Sequence, residues 1–324
     1  MNNFFVNEYK MFIICIISSF VLALIAGPVL IPILKRLKFG QNVRDDGPQS
    51  HLKKAGIPTI GGLIFIIPAA IVCLSFSNDK DMLLVLVTTL LYGAIGFADD
   101  YIKIAKKRSL GLRAWQKIVA QVAAAFFLGY IAGGTSQTGT EILVPFVGKF
   151  VDLGVLYIPF IVFIIVGTVN SVNLTDGLDG LAGGITVVVL GFFAVVALAM
   201  RNVGLLVFSG AFIGAILGFL RFNSHPAQVF MGDTGALALG GAVVSLAVIM
   251  KLPLFLAIVG AIYVAEALSD IIQVIYYKRT GKRVFKMAPL HHHFELSGWA
   301  ESKVVSVFII IEIILCLIGI LAFN

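Results

Sequence analysis

The sequence predicts an all-α integral membrane protein with about ten transmembrane helices, and three observations lead to this fold class. Hydrophobic residues make up 59% of the chain and charged residues only 13%, whereas soluble domains average about 45 to 50% apolar and about 25% charged residues. Apolar stretches of transmembrane length follow one another along the chain. Lysines and arginines concentrate in alternate connections between them. The composition excludes a soluble globular protein, and we expect residues 1–324 to form a single polytopic membrane domain.

Ten apolar stretches are bounded by charged residues or by glycine and proline. About 20 residues are needed to cross about 30 Å of hydrocarbon at about 1.5 Å per residue. In chain order the stretches are 11–34, 57–76, 82–98, 116–133, 156–172, 177–200, 203–220, 235–250, 253–275 and 303–323. The fifth is short and the sixth begins among glycines and aspartates, so we expect one of these two helices to be irregular. Alternating polarity around 140–147 predicts a small β-hairpin.

Lysines and arginines divide the connections into two sets. Nineteen of the 24 basic residues lie in connections 35–56, 99–117, 221–234 and 276–303, and the other five lie elsewhere. Cytoplasmic loops carry the excess of lysine and arginine in membrane proteins. We therefore expect the first set to be cytoplasmic and both termini to be extracytoplasmic. This distribution accounts for the net charge of +7 without nucleic acid as a partner.

Five aspartates lie at the predicted cytoplasmic ends of the helices, although they come from three separate connections. They are Asp99, Asp100, Asp176, Asp179 and Asp233. Acids that meet at one membrane depth need a cation. Asp176 and Asp233 could instead cap the helices that follow them, because an N-terminal acid accepts backbone N–H bonds and favours the helix dipole. That alternative fits Asp99 and Asp100 poorly, since they stand at the C-terminal end of the third stretch.

Asp99, Asp100 and Lys103 together resemble a site for Mg²⁺ and phosphate oxygens. Magnesium takes oxygen ligands, often one or two carboxylates together with substrate phosphates. A lysine can neutralise a phosphate as a point charge. The spacing alone is a weak signal, but it predicts two candidate catalytic acids and a substrate-binding lysine.

The segment 170–184, NSVNLTDGLDGLAGG, is more specific. Amides and acids recur at three-residue intervals as Asn170, Asn173, Asp176 and Asp179. The glycines allow close approach of the backbone, and amide and carboxylate groups suit the recognition of a base or a sugar. Packing of small residues between helices explains the glycines but not the four polar residues. We expect these four side chains to contact the substrate.

Two further segments add an aromatic ring and a basic side chain. Phe230 stands three residues before Asp233, so its ring could stack on a heterocycle while Asp233 holds the metal ion. A phenylalanine alone is more often a core or lipid-facing residue. Lys54 adds positive charge beside the second stretch, where anchoring of the cytoplasmic side is the alternative interpretation.

Three of the five histidines form the run His291, His292 and His293 before the last stretch. Zinc binding is an alternative, but no cysteine accompanies the run, so phosphate binding or proton transfer is the better interpretation. Glu266 and Asp270 share one face of the ninth stretch. Intramembrane acids usually mark function, and in a transporter these two would form the coupling site.

Together these motifs resemble those of the polyprenyl-phosphate N-acetylhexosamine-1-phosphate transferases. The most specific pieces are the NSVNLTDGLDGLAGG segment, FMGDTG at 230–235 and APLHHHFE at 288–295. The resemblance extends from the region 35–40 to the last stretch, and the triple histidine indicates the branch that uses a muramoyl donor. Ile57 and Ile60 depart from the family pattern, which more often has threonine and methionine there, and the nearby lysine stays in place.

The resemblance implies a ten-helix, usually dimeric enzyme with a cytoplasmic cleft. In this branch undecaprenyl phosphate attacks the β-phosphorus of UDP-MurNAc-pentapeptide, which forms the first lipid intermediate of peptidoglycan and releases UMP. At matching positions it implies that Asp233 binds Mg²⁺, that Asp99 binds or deprotonates the lipid phosphate and that Asp100 supports either role. The nucleoside pocket would comprise Lys54, Asn173, Asp176 and Phe230, and the phosphates or sugar would contact His291 and His292.

Two other functions stay open from the sequence. The same reaction with another sugar nucleotide, such as UDP-GlcNAc, would keep the fold and the acids, and a panel of donors distinguishes it. A membrane transporter would bind its substrate near the midplane, whereas most polar residues here gather at one surface. Flux into sealed vesicles without UMP release would favour the transporter.

Overall fold

The computed structural model describes residues 2–37, 54, 56–106, 111–135 and 139–323. Most of the basic connection 35–56 lies outside these residues. The described part is almost entirely helical, with one small antiparallel sheet. In chain order the elements are α1 (Asn2–Arg36), α2 (Leu63–Phe76), α3 (Lys80–Ala105), α4 (Ala114–Thr135), β1 (Glu141–Val144), β2 (Lys149–Asp152), α5 (Tyr157–Thr175), α6 (Leu181–Ala199), α7 (Val203–Asn223), α8 (Gly232–Ile249), α9 (Leu256–Val259), α10 (Ala261–Thr280), α11 (Leu290–Glu295) and α12 (Glu301–Leu321).

The prediction of a helical membrane protein is confirmed. Within the described residues, eight helices are long and apolar enough to cross a membrane, and a bent pair would make a ninth. The second predicted stretch is helical only from Leu63, because residues 57–60 are irregular with a single bridge at Pro58 and residues 61–62 form a turn. With 14 residues, α2 is about 21 Å long and falls short of the hydrocarbon thickness.

The predicted irregularity near the cytoplasmic end of the fifth or sixth stretch is confirmed for the sixth. Its first four residues, 177–180, form turns before α6 begins at Leu181, whereas α5 is regular. A sharper break that was not predicted lies in the ninth stretch, where Pro253–Val259 and Ala261–Thr280 meet at 84°. The absence of a side chain at Gly260 leaves room for the sharp bend, because a Cβ there would lie 3.0 Å from the carbonyl oxygen of Leu256. The carboxylate of Glu312 accepts the backbone N–H of Ile262 at 3.2 Å, so this N–H has a partner although the helix has only just begun.

The interior of the bundle consists of α6, α7 and α8, which are mostly buried, whereas α1 and α12 expose most of their apolar side chains. The most extensive helix pairs are α3 with α8 and α1 with α7. Glycine permits the close approach of α3 to α8, because a Cβ at Gly96 would collide with the backbone of Asp233. This packing brings two acidic helix ends together and so creates the candidate site.

The predicted β-hairpin is confirmed. Strands β1 and β2 pair antiparallel, with Glu141 opposite Asp152 and Val144 opposite Lys149. The adjoining Lys251 is 5% exposed. Its Nζ donates to the carbonyl oxygens of Ala132 at 3.0 Å and Gly139 at 2.5 Å, and to the hydroxyl of Tyr157 at 3.3 Å. Burial lowers the pKa of Lys251 to about 8, although Glu141 opposes the shift.

Lys251 predicts a specific dependence of stability on pH. Because its pKa falls from 10.5 to about 8 in the folded protein, the unfolded state binds more protons between these values. Stability then rises with pH in this window, by up to about 3 kcal/mol. We expect the apparent Tm of the wild type to rise relative to that of Lys251→Met as the pH increases from 8 to 10.5.

The exposed Lys149 of the same hairpin supplies the control. The difference in Tm between the wild type and Lys149→Met should stay constant over the same pH range. A constant difference for Lys251→Met as well would contradict the prediction.

Candidate active site

Three aspartates meet where α3 packs against α8. Asp99 and Asp100 belong to α3 and are 3% and 2% exposed, and Asp233 lies in the first turn of α8. Each offers a carboxylate oxygen, and these oxygens all lie within 4.8 Å of one another. The sequence placed Asp99 and Asp100 at a helix end, but α3 continues to Ala105. The added turn brings Lys103 beside both acids.

A short extended segment fixes the start of α8. The backbone N–H of Phe230 donates to the carbonyl of Pro58 at 2.9 Å, and the N–H of Gly61 donates to the carbonyl of Phe230 at 2.8 Å. Gly232 follows with φ +69, a left-handed conformation that favours glycine. A Cβ at Gly232 would lie 2.5 Å from the carboxylate of Asp100. The backbone of this loop thereby positions Asp233.

Asp100 caps α8 from the neighbouring helix. Its Oδ1 accepts the backbone N–H of Asp233 at 3.2 Å, and its Oδ2 accepts the N–H and the hydroxyl of Thr234 at 2.9 and 2.7 Å. The alternative in which Asp233 or Asp176 caps the helix that follows it is wrong: Asp100 accepts two of the N-terminal N–H groups of α8, and Asp176 follows the end of α5. Both carboxylate oxygens of Asp100 are engaged.

Two lysines and an amide surround Asp233. The Nζ of Lys103 lies 2.7 Å from Asp99, 3.7 Å from Asp100 and 3.1 Å from Asp233. Lys117 of α4 lies 2.8 Å from the same Asp233 oxygen, and the Nδ2 of Asn173 donates to its other oxygen at 3.1 Å. The sequence predicted Lys103 and Asn173 here but missed Lys117. Its signal was a lysine inside an apolar stretch, which is costly without a role.

Asn170 lies one turn before Asn173 on α5 but takes a different partner. Its Nδ2 donates to Gln121 Oε1 at 2.7 Å and to the carbonyl of Val166 at 2.8 Å. The amide pair joins α4 to α5. The structure therefore does not bring Asn170 onto the carboxylates, and its observed contact holds together the helices that carry Lys117 and Asn173.

A second cluster forms around Lys54. Its Nζ lies 2.7 Å from both Asp179 and Glu301, and the Nδ1 of His225 lies 3.2 Å from Asp179 and 3.3 Å from Glu301. Burial opposes protonation of Lys54, but its hydrogen bonds to both acids outweigh burial and raise its pKa. Lys54 and Asp179 were both predicted to contact substrate, and here they neutralise each other. The sequence missed Glu301, which looked like an ordinary helix-start acid, and His225, which carried no signal.

The charges of both clusters change the pKa of Asp176. Burial raises its pKa to about 8, and the charges of Asp233, Asp100 and Asp179 add to the shift while Lys54 opposes it. The raised pKa favours the protonated form, and a protonated carboxyl can donate a hydrogen bond as well as accept one.

The three histidines of the run point to different partners. His291 is fully buried and its Nδ1 lies 3.1 Å from Glu266 Oε2. His292 pairs with Glu295 at 2.9 Å on the same short helix. The Nδ1 of His293 accepts the backbone N–H of Lys286 at 3.1 Å, and its ring lies edge-on to Phe285. Among the three, only His291 is shown against the predicted substrate-binding segment, since a Cβ at Gly177 would collide with its ring.

The segment 173–179 connects these groups. Asn173 bonds Asp233, Gly177 contacts His291 and Asp179 binds Lys54. Phe230, half-buried in the loop before α8, completes the set of predicted residues. Carboxylates, lysines and a histidine thus surround a single short segment, an arrangement suited to binding and transferring a phosphorylated group.

Two groups of side chains in the described residues have the composition of a cation site. Asp179, His225 and Glu301 form one, and Asp99, Asp100 and Asp233 form the other. The first already surrounds the ammonium group of Lys54. The second consists only of carboxylate oxygens, which are the ligands that Mg²⁺ prefers. The aspartate cluster is therefore the better candidate metal site.

Comparison with known proteins agrees with this geometry. Residues 82–251 match the model of glycosyl transferase family 4. The chain is 54% identical over 329 residues to the phospho-N-acetylmuramoyl-pentapeptide-transferase of Alkaliphilus metalliredigens, with 98% of this chain and 99% of the relative covered. The enzyme of the same name from Alkaliphilus oremlandii is 55% identical with the same coverage. That of Clostridium kluyveri is 51% identical, with 97% of this chain and 99% of the relative covered.

Proposed function

The chain belongs to the phospho-N-acetylmuramoyl-pentapeptide-transferases of glycosyl transferase family 4, and from this membership we propose its reaction. It transfers phospho-MurNAc-pentapeptide from UDP-MurNAc-pentapeptide to undecaprenyl phosphate. An oxygen of the lipid phosphate attacks the phosphorus attached to the sugar. The new pyrophosphate bond forms as the bond to UMP breaks, so the products are lipid I and UMP.

The observation that carries this proposal is the aspartate cluster with its two lysines. Phosphoryl transfer needs positioning and neutralisation of charge more than covalent help from the protein. Lys103 and Lys117 place two ammonium groups within 3.1 Å of one Asp233 oxygen. Incoming phosphate oxygens can share these cations. Asp99 lies beside Lys103, where it can bind the lipid phosphate or accept its proton.

The same cluster fits Mg²⁺, because three buried or half-buried carboxylates exceed the charge that two lysines supply. We assign Asp233 as the principal ligand, with Asp99 and Asp100 beside it. When bound, the ion neutralises developing charge on the phosphate oxygens. Asp100 keeps α8 in place through its three hydrogen bonds to Asp233 and Thr234.

The donor nucleotide would lie along the segment 173–179. Asn173 and Asp176 offer hydrogen bonds to sugar or base, and Phe230 offers a ring for the uracil. Lys54 and Asp179 would support this pocket through their ion pair. His291 and His292 would contact phosphates or sugar, and His293, held by Lys286, would border the substrate from outside.

We further propose ten membrane crossings in a single polytopic domain, with both termini extracytoplasmic. The cluster would then face the cytoplasm, where the nucleotide donor is soluble. Nineteen of the 24 basic residues would lie on that side, as the positive-inside rule requires. The exposed apolar faces of α1 and α12 leave room for a homodimer.

The proposed reaction can be tested by measuring UMP release from the detergent-purified protein. Undecaprenyl phosphate would be supplied with either UDP-MurNAc-pentapeptide or UDP-GlcNAc, each with and without Mg²⁺. We expect release with the muramoyl donor only, and only with Mg²⁺, because the aspartate cluster needs the ion to balance the phosphates.

If UMP is released with UDP-GlcNAc and not with the muramoyl donor, the fold and the type of reaction stand, but the donor is UDP-GlcNAc. No release with either donor, together with substrate flux into sealed vesicles, would replace the enzyme by a transporter. Release with EDTA present would contradict the assignment of Mg²⁺.

A further inference from the structure

Glu266 and His291 form a fully buried pair between α10 and α11. Both side chains have 0% exposure, and the Nδ1 of His291 lies 3.1 Å from Glu266 Oε2. Around Glu266 lies an apolar cavity of about 300 Å³, which is also lined by Ile262, Leu290, Phe294, Trp299 and Phe308. A hydrogen bond is strengthened in such apolar surroundings.

The other nitrogen of His291 has no hydrogen-bond partner among the described residues. Its Nε2 is among the buried polar atoms without a protein partner. This atom lies against Gly177, where any added Cβ would collide with it. An orphaned buried polar atom is destabilising, because it has lost its hydrogen bond to water without gaining another. A ligand that supplies the missing partner would remove this cost.

We propose that Glu266 is a positioning residue that orients His291 toward the bound substrate. The inference rests on the proposed function and adds a residue and a role to it. The carboxylate of Glu266 accepts the Nδ1–H of His291, which fixes the ring orientation. Nε2 is thereby left as an acceptor for a hydroxyl group of the donor bound along the segment 173–179. When a carboxylate accepts the N–H of one imidazole nitrogen, it fixes the tautomer of the ring. It thereby determines whether the other nitrogen donates or accepts a hydrogen bond.

Packing alone does not explain this pair. Glu312 is also fully buried on a neighbouring helix and also has one oxygen without a described partner, but it accepts a backbone N–H. Its bond supports the bend at Gly260. Glu266 instead bonds a titratable ring whose far edge contacts the segment between Asp176 and Asp179. Of these two acids, only Glu266 bonds a residue that contacts the candidate active site.

The test is Glu266→Gln, which keeps the size of the side chain and removes its charge. We expect kcat for UMP release to fall about 10- to 100-fold, as for other residues that orient a functional histidine. The KM for the UDP donor should change less than about threefold, because the interaction acts on the reacting state. Asp270→Asn, one turn along the same helix, is the matched control and should retain wild-type kcat.

Two measurements separate positioning from a general structural effect. In the His291→Gln background, Glu266→Gln should cause no further loss, because its effect passes through His291. The imidazole ¹⁵N spectrum, with the His291 signal assigned by its absence in His291→Gln, should change from Nδ1-protonated to mixed tautomers in Glu266→Gln. This readout does not depend on turnover.

Equal additional losses in both backgrounds, or an unchanged ¹⁵N spectrum, would overturn the proposal. A loss of Tm equal to that of Glu312→Gln with no change in the tautomer would assign Glu266 to stability alone. Failure of the proposed function is distinguishable, because the wild-type protein itself would then release no UMP while the ¹⁵N spectrum still reported the pair.

Discussion

Replacing Asp233 with asparagine is expected to lower the rate of UMP release at least 10²- to 10³-fold, equivalent to about 3 to 4 kcal/mol of lost transition-state stabilisation. Three groups converge on this carboxylate: Lys103 at 3.1 Å, Lys117 at 2.8 Å and Asn173 at 3.1 Å. Asparagine keeps the shape of the side chain but removes the charge that both lysines and a metal ion need. UMP release from purified protein at saturating donor and acceptor measures the effect.

The same variant should lose its response to Mg²⁺. A ligand that binds only the folded protein raises Tm, so the wild type should show a Mg²⁺-dependent increase in Tm that Asp233→Asn lacks. Asp152→Asn, which removes an exposed carboxylate from β2, serves as the control and should keep both activity and the Mg²⁺ response. Near-normal turnover of Asp233→Asn would remove this residue from the metal site.

The sequence was sufficient for the fold class and for much of the candidate site. Long apolar stretches can only be membrane helices, and charged side chains within such a chain are tolerated only where they meet each other or a ligand. That reasoning grouped five aspartates, of which Asp99, Asp100 and Asp233 do meet, whereas Asp179 belongs to the second cluster around Lys54. It could not show which polar groups bind which, because Lys117, Glu301 and His225 reach their partners through helix packing.

Local breaks were equally hard to predict. The sharp bend at Gly260 is accompanied by a hydrogen bond from Ile262 to Glu312, a residue about 50 positions away. The turns of the glycine-rich segment are bordered by two regular helices. A glycine permits a bend but does not require one. Tertiary contacts decide at which glycines the chain bends. The hydrophobic periodicity of the sequence contains no information about these contacts.

Asp99→Asn is the second substitution with a large expected effect. We expect kcat to fall about 10²- to 10³-fold, because the variant loses the ion pair with Lys103 at 2.7 Å and the acceptor for a phosphate proton. Asparagine can still accept the backbone N–H of Leu112, which lies 2.8 Å from Asp99 Oδ1. Asp81→Asn at the opposite end of α3, where Asp81 accepts the amide of Asn202 at 2.9 Å, should leave kcat unchanged.

Asp99 and Asp100 are adjacent in sequence, but their hydrogen bonds assign them different tasks. Asp100 accepts three hydrogen bonds from Asp233 and Thr234 through both of its oxygens. Asparagine keeps only one acceptor oxygen, so Asp100→Asn should lower Tm as well as kcat because α8 loses part of its cap. Asp99 accepts one backbone bond and pairs with a lysine that is 32% exposed. Asp99→Asn should therefore keep its Tm while turnover is lost. If instead Asp99→Asn loses stability and Asp100→Asn does not, the carboxylate that meets the lipid phosphate is Asp100.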